Sequence, residues 1–264
     1  MTLHTLASGS EGNSLLVSCN DTHILVDAGI SLRRIKTALA QLGLQMDDLD
    51  GILLTHEHSD HVMGLKTLVK HHDVPLYASA GTAKQLSFKV EGILDQLQIV
   101  EREDEFSLGE CQVTVFPTSH DARESIDFRI DSDEGSIGIL TDTGYVTDEA
   151  ADTLSGVELL VLESNHEPEW LRSGPYPYHL KQRILGPWGH LSNQDAAKFA
   201  VEMAQQGTRQ IVLAHLSHEN NTPAQALEVV SRAIRAEELD TIVTVAPRKE
   251  LSCVYQLEGA LCRK

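Results

Sequence analysis

Seven residues of types that bind metal ions stand out in this sequence, and four of them lie close together. These four form the segment His56-x-His58-x-Asp60-His61, which directly follows the apolar residues 52–54. Imidazole and carboxylate ligands in combination suit Zn²⁺, Mn²⁺ or Fe²⁺. Because four such side chains can serve two neighbouring ions, the segment predicts two divalent metal ions (Zn²⁺ or Mn²⁺) at one site.

The three other candidate ligands follow apolar segments that are typical of strands. They are His120 after 113–116, Asp142 after 137–140 and His215 after 211–213. A single histidine or aspartate at the end of a strand is more often structural than a ligand. Their repeated occurrence at strand ends, where a rigid scaffold positions functional side chains, predicts that they complete the same site.

Two adjacent divalent ions would turn a bridging water molecule into hydroxide and stabilise negative charge on the atom that it attacks. The predicted ligands include two carboxylates, Asp60 and Asp142, and Asp60 is also a candidate catalytic residue. Two carboxylates leave two divalent ions with a net positive charge, which favours an anionic, phosphate-like substrate. The expected chemistry is hydrolysis with a metal-bridging hydroxide as nucleophile.

Short strands and amphipathic helices alternate along the chain and must position these ligands. The predicted strands are 3–6, 15–17, 23–26, 52–54, 75–77, 113–116, 127–130, 137–140, 157–162, 211–213, 241–245 and 254–257. The predicted helices are 32–42, one through 65–69, 82–88, 194–206 and 224–236, and 168–189 is expected to be irregular with short helices. Strands flanked by helices predict a layered α/β sandwich.

Composition limits the classes of function. The 264 residues carry a formal net charge of -18, so a broad basic face for nucleic acid is not expected and any such contact must be local. The N-terminus lacks a signal pattern and no apolar run is long enough to span a membrane, so we expect a cytoplasmic protein. The four cysteines are scattered, which predicts reduced, buried thiols.

These motifs, together with Asp27, resemble in order the five motifs of metallo-β-lactamase superfamily hydrolases. The resemblance implies an α/β (α+β) fold, the four-layer αββα sandwich, as one domain over residues 1–264. Only about seventy residues separate Asp142 from His215, so a β-CASP insertion is not expected between them. The resemblance also implies that one ion is bound by His56, His58 and His120, the other by Asp60, His61 and His215, and that Asp142 bridges both. Asp27 would brace the histidine-rich loop without touching the ions.

Five further segments resemble the YycJ/WalJ-type branch of this superfamily, namely 6–14, 163–166, 178–184, 189–193 and 215–221. That resemblance implies a 5′-to-3′ exonuclease that acts on double-stranded DNA. Two alternatives stay open. One is a small-molecule hydrolase, either a cyclic phosphodiesterase or a thioesterase similar to glyoxalase II. The other is a DNA-associated, metal-binding scaffold without turnover.

Glu163 and His190 occupy places similar to those of a glutamate and a histidine that protonate the leaving group in ribonuclease Z. We therefore predict that they are catalytic and form a general-acid pair. The structural alternative is that Glu163 caps neighbouring backbone groups and that His190 caps the helix that begins near Ser192.

The loop 8–14 is a candidate for contact with substrate. Its glycines allow backbone N–H groups to converge on a phosphate, so we predict contacts from Ser8, Ser10 and Asn13. The alternative is a hairpin turn that needs glycine for its positive φ angles.

A second candidate is the segment 172–189, which we call the substrate lip. It combines cations, among them Lys181 and Arg183, with aromatic residues, and this composition suits phosphates and unstacked bases. The alternative is an ordinary packed loop with solvated charges. His218 is a further candidate because it lies near the site in the sequence.

Overall fold

Two seven-stranded sheets lie at the centre of the computed structural model, which describes residues 1–257. The first sheet has the order β14 (Tyr255–Gln256), β1 (Thr2–Ala7), β2 (Ser14–Cys19), β3 (Thr22–Val26), β4 (Gly51–Leu53), β5 (Leu76–Ala78) and β6 (Leu97–Ile99). The second has the order β13 (Ile242–Val245), β12 (Gln210–Ala214), β11 (Leu159–Glu163), β10 (Gly135–Leu140), β9 (Ile126–Ser132), β8 (Cys111–Pro117) and β7 (Glu105–Leu108).

Helices cover the outer face of each sheet. On the first sheet they are α1 (Leu32–Gln41), α2 (Ser59–Val62), α3 (Leu65–Leu68) and α4 (Ala80–Lys89). On the second sheet they are α5 (Asp148–Leu154), α8 (Asn193–Gln205) and α9 (Pro223–Ala236). Two further α-helices, α6 (Pro168–Ser173) and α7 (Tyr178–Leu185), lie in the long connection between β11 and α8.

The central strand β11 shows why the protein has four layers. Leu159 and Val161 belong to the core between the two sheets, whereas Leu160 and Leu162 pack against the helices outside. Successive side chains of a strand point to opposite faces, so a strand that is apolar at every position is covered on both sides. The αββα sandwich predicted from the sequence is confirmed.

Strand direction determines where the loops meet. Strands β3 to β6 are parallel to one another in the first sheet, and β10 to β13 are parallel in the second. Strand β8 runs in the same direction as β10, because both are antiparallel to β9. The carboxyl ends of these strands therefore lead into the loops that contain the candidate ligands.

Several short elements were not predicted. They are the edge strands β6 and β7, helix α5 and the 3₁₀ helices Met46–Asp48 and Ile93–Asp95. The two edge strands carry mostly exposed or half-exposed residues, so no apolar run reveals them. The strand predicted at 157–162 lies at Leu159–Glu163, which makes Glu163 the last residue of β11. The segment 168–189 forms α6 and α7.

The cysteine prediction is only partly correct. Cys19 and Cys111 are buried, and burial raises the pKa of the Cys111 thiol to about 12. Cys253 is exposed, so the expectation of burial is wrong for this residue, which lies just before a two-residue edge strand. Cys262 lies outside the described residues. No helix within residues 1–257 combines the length and the apolar character needed to cross a bilayer.

Candidate metal centre

The candidate ligands come together where strands of both sheets end. Their donor atoms form overlapping groups whose members lie within 4.8 Å of one another: His56, His58 and His120; His56, His61 and Asp142; Asp60, His61 and His215; and Asp142, Glu163, His190 and His215. All the ligands predicted from the sequence thus lie in one cluster. Glu163 and His190, predicted as an acid pair, lie at its edge.

The cluster contains buried donor atoms that fit a metal ion. Nε2 of His56 has no hydrogen-bond partner among residues 1–257, and Oδ2 of Asp142 lies 3.0 Å from Nε2 of His61, another predicted ligand atom. Buried polar atoms without a partner are rare, because they lose the hydrogen bonds of water. Burial and the nearby His61 ring also hold the pKa of His56 well below its usual value, so the imidazole is neutral, which is the form that binds metal.

Three residues of the site have a left-handed backbone conformation, with φ of 61° at Asp27, 51° at Asp142 and 54° at His215. Such a conformation costs about 1–3 kcal/mol for a residue with a side chain. At His215 two hydrogen bonds hold it. The His215 N–H donates to Oγ of Ser8 over 2.8 Å, and Nδ2 of Asn165 donates to the His215 carbonyl over 2.9 Å.

Asp27 braces the histidine-rich loop through two of its residues. Its Oδ1 accepts a hydrogen bond from the Thr55 N–H over 3.0 Å, and its Oδ2 accepts one from the Thr55 hydroxyl over 2.9 Å. Oδ2 also lies 2.7 Å from Nδ1 of His61. A carboxylate on Nδ1 fixes the ring and leaves Nε2 for a metal ion, which is the arrangement usual for histidine ligands.

The loop 8–14 supports the backbone of Asp60. The Asn13 N–H donates to the carbonyl of Asp60 over 2.7 Å, and the Gly29 N–H donates to the carbonyl of Asn13 over 2.9 Å. A side chain cannot replace the hydrogen of Gly29, since a Cβ atom there would lie 1.7 Å from the Asp60 carbonyl oxygen. The loop thus positions a candidate ligand, and Ser10 at its tip is exposed. Contact with a phosphate stays a prediction.

Glu163 is a fully buried carboxylate that contacts four groups. Its Oε1 lies 2.8 Å from Nδ1 of His190 and 2.9 Å from Nδ1 of His215. Its Oε2 accepts hydrogen bonds from the N–H groups of Thr143 and Leu191. The same side chain therefore orients a candidate ligand, a candidate acid and two loops.

The charge of the Glu163–His190 pair follows from these contacts. Burial alone would raise the pKa of Glu163, but the adjacent His190 and His215 rings outweigh this effect and lower that pKa to about 2. Burial alone would likewise lower the pKa of His190, but the carboxylates of Glu163 and Asp142, which lie 2.8 and 3.3 Å from its Nδ1, raise it to about 9. The His190 side chain is 18% exposed, so an imidazolium held at Nδ1 can offer its Nε2 proton at the edge of the cluster.

The substrate lip is attached to the His120 loop through its backbone. Nδ1 of His120 lies 3.0 Å from the carbonyl oxygen of Gly189, and the Asp121 N–H donates to the Trp188 carbonyl over 3.1 Å. The Ser119 hydroxyl donates to the Pro187 carbonyl over 2.6 Å. The end of the lip therefore fixes the orientation of a candidate ligand.

The cations of the lip have partners within the protein. Arg172 pairs with Glu169, Arg183 pairs with Asp121, and Nζ of Lys181 donates to the carbonyls of Arg172 and Gly174. The aromatic residues, in contrast, are available: Tyr178 and Trp188 of the lip are exposed, and so is Trp170 just before it. His218 is also exposed and pairs with Glu219, so it lies outside the cluster.

A buried polar network behind the cluster was not predicted. Asn221 donates from Nδ2 to the carbonyl of Ser164 over 2.8 Å, and the Ser164 hydroxyl donates to Oδ1 of Asn193 over 2.7 Å. Asn165 accepts from the Ser217 N–H over 2.8 Å at its own carbonyl. All these residues fall in segments that the sequence analysis singled out, so a signal for them existed. Their role is to join the three loops around Glu163 and His215.

The chain belongs to the β-lactamase superfamily, since residues 22–216 match the family model described as the beta-lactamase superfamily domain. It is 39% identical over 237 residues to the exodeoxyribonuclease YycJ of Bacillus anthracis. The aligned region covers 89% of this chain and 90% of that protein. It is 41% identical over 219 residues to the exodeoxyribonuclease WalJ of Streptococcus pneumoniae serotype 2. The aligned region covers 82% of this chain and 81% of that protein.

A solved structure shows the same fold at low sequence identity. The metallo-β-lactamase fold protein YhfI from Bacillus subtilis superposes with a TM-score of 0.72 at 18% identity, over 96% of this chain and 98% of that one. The resemblance inferred from the sequence motifs is therefore confirmed for the superfamily and for the YycJ/WalJ-type branch.

Proposed function

We propose that this protein is a dinuclear metal-dependent exonuclease that removes nucleotides from the 5′ end of double-stranded DNA in the cytoplasm. The observation that carries the proposal is the cluster of metal-binding side chains with the Glu163–His190 pair at its edge. The chain that contains it is similar over most of its length to proteins named exodeoxyribonuclease. A phosphodiester substrate matches a positively charged site with a proton donor beside it.

The ligand groups divide between two ions, either Zn²⁺ or Mn²⁺. His56, His58 and His120 would hold one, Asp60, His61 and His215 the other, and Asp142 would contact both. When bound, such ions supply an activated water and neutralise charge on the phosphoryl oxygens. Asp27 and Glu163 contribute by fixing the rings of His61 and His215 at Nδ1.

The proton for the leaving group comes from His190 in this proposal. Its Nδ1 is held by Glu163, and its ring lies beside those of His120 and His215. Nε2 of His190 donates its proton to the leaving sugar oxygen, and the Glu163 carboxylate stabilises the imidazolium before the transfer. A sugar alkoxide is a poor leaving group, so a positioned acid contributes to the rate.

The exposed aromatic residues of the lip would receive the displaced bases. Tyr178 and Trp188, with Trp170 just before the lip, offer exposed ring faces, and Trp188 lies next to the His120 loop because its carbonyl accepts from the Asp121 N–H; stacking on such rings tolerates any sequence. An exonuclease needs this tolerance because it meets every base in turn.

A 40-base-pair duplex tests this function, with one strand carrying either a radioactive 5′ phosphate or an unlabelled 5′ phosphate and a fluorescent label at its 3′ end. Protein reloaded separately with Mn²⁺ and Zn²⁺ is expected to release the 5′ label first as short products, while the 3′-labelled strand shortens progressively. Asp60→Ala is expected to release no 5′ label and to leave the 3′-labelled strand at full length. If no DNA is cleaved but bis(p-nitrophenyl) phosphate or a thioester is hydrolysed, the small-molecule hydrolase replaces this proposal.

A further inference from the structure

A segment that contains basic residues and no acidic residue lies on the surface of this otherwise acidic protein. Residues 28–46, which contain α1, include Arg33, Arg34 and Lys36 and no acidic residue, whereas the whole chain has a net charge of -18. Lys66 and Lys70 lie in and just after α3, the neighbouring helix. We propose that this α1–α3 basic surface, formed by Arg33, Arg34, Lys36, Lys66 and Lys70, binds the phosphate backbone of duplex DNA. The inference rests on the proposed function.

Four of the five cations of this surface are available to an external anion, whereas the fifth, Arg34, is half-buried and donates from Nη2 to the Lys249 carbonyl over 3.1 Å. Arg33, Lys36, Lys66 and Lys70 are exposed, and within residues 1–257 none of them forms an ion pair. The cations of the substrate lip differ, because each is occupied by a carboxylate or by backbone carbonyls. Because its cations are available, the α1–α3 basic surface is the better candidate for contact with the duplex backbone. The lip, whose cations are occupied, is the better candidate for base stacking.

The shape between the two helices also suits a backbone. An open hollow there is lined by Leu32, Arg33, Lys36, Thr37, Ala40, Gln41 and Thr67. Its surface is mostly apolar, and the groups in it that can contact a phosphate are the Arg33 and Lys36 head groups and the Thr37 and Thr67 hydroxyls. The basic surface ends at Asp47, which pairs with His72 beside the far end of α1.

Short contacts connect this surface to the metal centre. Helix α2 carries Asp60 and His61, and the next residues lead through Gly64 into α3. The Gly64 N–H donates to the carbonyl of Ala28, and the Ala28 N–H donates to the carbonyl of His61. Helix α1 starts only a few residues after Ala28. A duplex whose end lies at the ligand cluster can therefore extend across α1 and α3.

This arrangement explains how an acidic protein can hold a polyanion. Binding of phosphates by a few lysine and arginine residues releases condensed counterions, which drives association even where the net charge is unfavourable. Helix α1 rises about 15 Å over its 10 residues, close to the axial length of four or five base pairs. The acidic residues elsewhere would keep DNA away from other faces.

The test compares the triple variant R33Q/K36Q/K66Q with a control triple variant, K198Q/R209Q/R232Q, which removes the same charge from the opposite side of the sandwich. Dissociation constants for an uncleaved 40-base-pair duplex are measured by fluorescence anisotropy with metal-free protein at several salt concentrations. Thermal unfolding of both variants is measured to establish that they fold. This readout does not depend on cleavage, so it stands apart from the test of the proposed function.

We expect R33Q/K36Q/K66Q to bind the duplex at least about tenfold more weakly than wild type, with the slope of log K against log salt reduced by about 2 to 3. The control variant is expected to bind like wild type. Equal affinity of the two triple variants would overturn the proposal, even if the protein degrades DNA. Loss of binding to phosphatidylglycerol vesicles without loss of binding to DNA would overturn it in favour of a membrane surface.

Discussion

Oε1 of Glu163 lies 2.9 Å from Nδ1 of His215, and the pair is fully buried. The same oxygen lies 2.8 Å from Nδ1 of His190. One carboxylate therefore serves both a proposed metal ligand and the proposed general acid. This double contact leads to predictions that separate the two roles.

Replacing the acid should affect substrates according to their leaving groups. His190→Ala is expected to lower kcat on DNA by about 10²–10⁴-fold, and to lower kcat on thymidine 5′-p-nitrophenyl phosphate by less than about tenfold, because p-nitrophenolate leaves without a proton. Steady-state kinetics on both substrates measure the difference. Equal losses on the two substrates would mean that His190 has a structural role only.

Replacing the carboxylate should weaken metal binding as well. In Glu163→Gln the NH₂ group of the amide replaces one carboxylate oxygen. It must face either the N–H donors of Thr143 and Leu191, from which it cannot accept a hydrogen bond, or the two histidines. We expect the affinity for Zn²⁺ to fall about 10–100-fold. Competition with a chromophoric chelator measures it. Glu167→Gln is the matched control, since within residues 1–257 this buried carboxylate accepts hydrogen bonds only from the side chains of Gln194 and Gln225, and the variant should bind Zn²⁺ like wild type.

The close approach at Gly29 should make this position intolerant of a side chain. Gly29→Ala is expected to destabilise the protein by about 3 kcal/mol, because the Asp60 backbone must move away from the new Cβ atom. Its metal content should fall too. Gly43→Ala, where a Cβ has open space and only the positive φ is unfavourable, should cost about 1 kcal/mol. Urea unfolding measures both, and equal losses would contradict the proposed contact.

Metal binding should release protons over an unusually wide pH range. Burial lowers the pKa of His215, but Asp142, Asp60 and Glu163 outweigh it and raise that pKa to about 10; the pKa of His61 is also raised, with Asp27 as the main charged cause. Below these pKa values the metal-free protein carries the protons, and an ion must displace them.

We therefore expect calorimetric titration with Zn²⁺, in pairs of buffers that differ in ionisation enthalpy, to show proton release throughout pH 6 to 8. The release should decline only as the pH approaches about 10. If it disappeared between pH 6 and 7, as expected for ordinary histidines with a pKa near about 6.5, the carboxylate contacts would not act as described.

Much of the site could be predicted because its residues lie close in the sequence or directly follow apolar strands. The segment His56 to His61 and the strand-end residues Asp142 and His215 are cases of this kind. The contacts of Glu163 could not be predicted from spacing, because they depend on β11 lying between β10 and β12. Parallel strands pair through long connections, so nothing local in the sequence indicates which loops become neighbours.

The α1–α3 basic surface could not be predicted from the sequence either, for a different reason. Net charge averages over the whole chain, and the cations of α1 and α3 are separated by the strand β4 and the ligand loop in the sequence. Only the packing of the two helices places Arg33 and Thr67 around one hollow. The edge strands β6 and β7 were missed because their half-exposed residues lack an apolar pattern.

The central claim is that two ions held by this cluster make the protein a DNA exonuclease. The most direct measurement is a titration of metal-free protein with Mn²⁺ in which bound metal and duplex degradation are measured on the same samples. We predict two bound ions per chain, with degradation appearing as the second ion binds, and neither two-ion binding nor degradation in Asp60→Ala. Degradation by metal-free protein, or two bound ions without any cleavage of DNA, would contradict the claim.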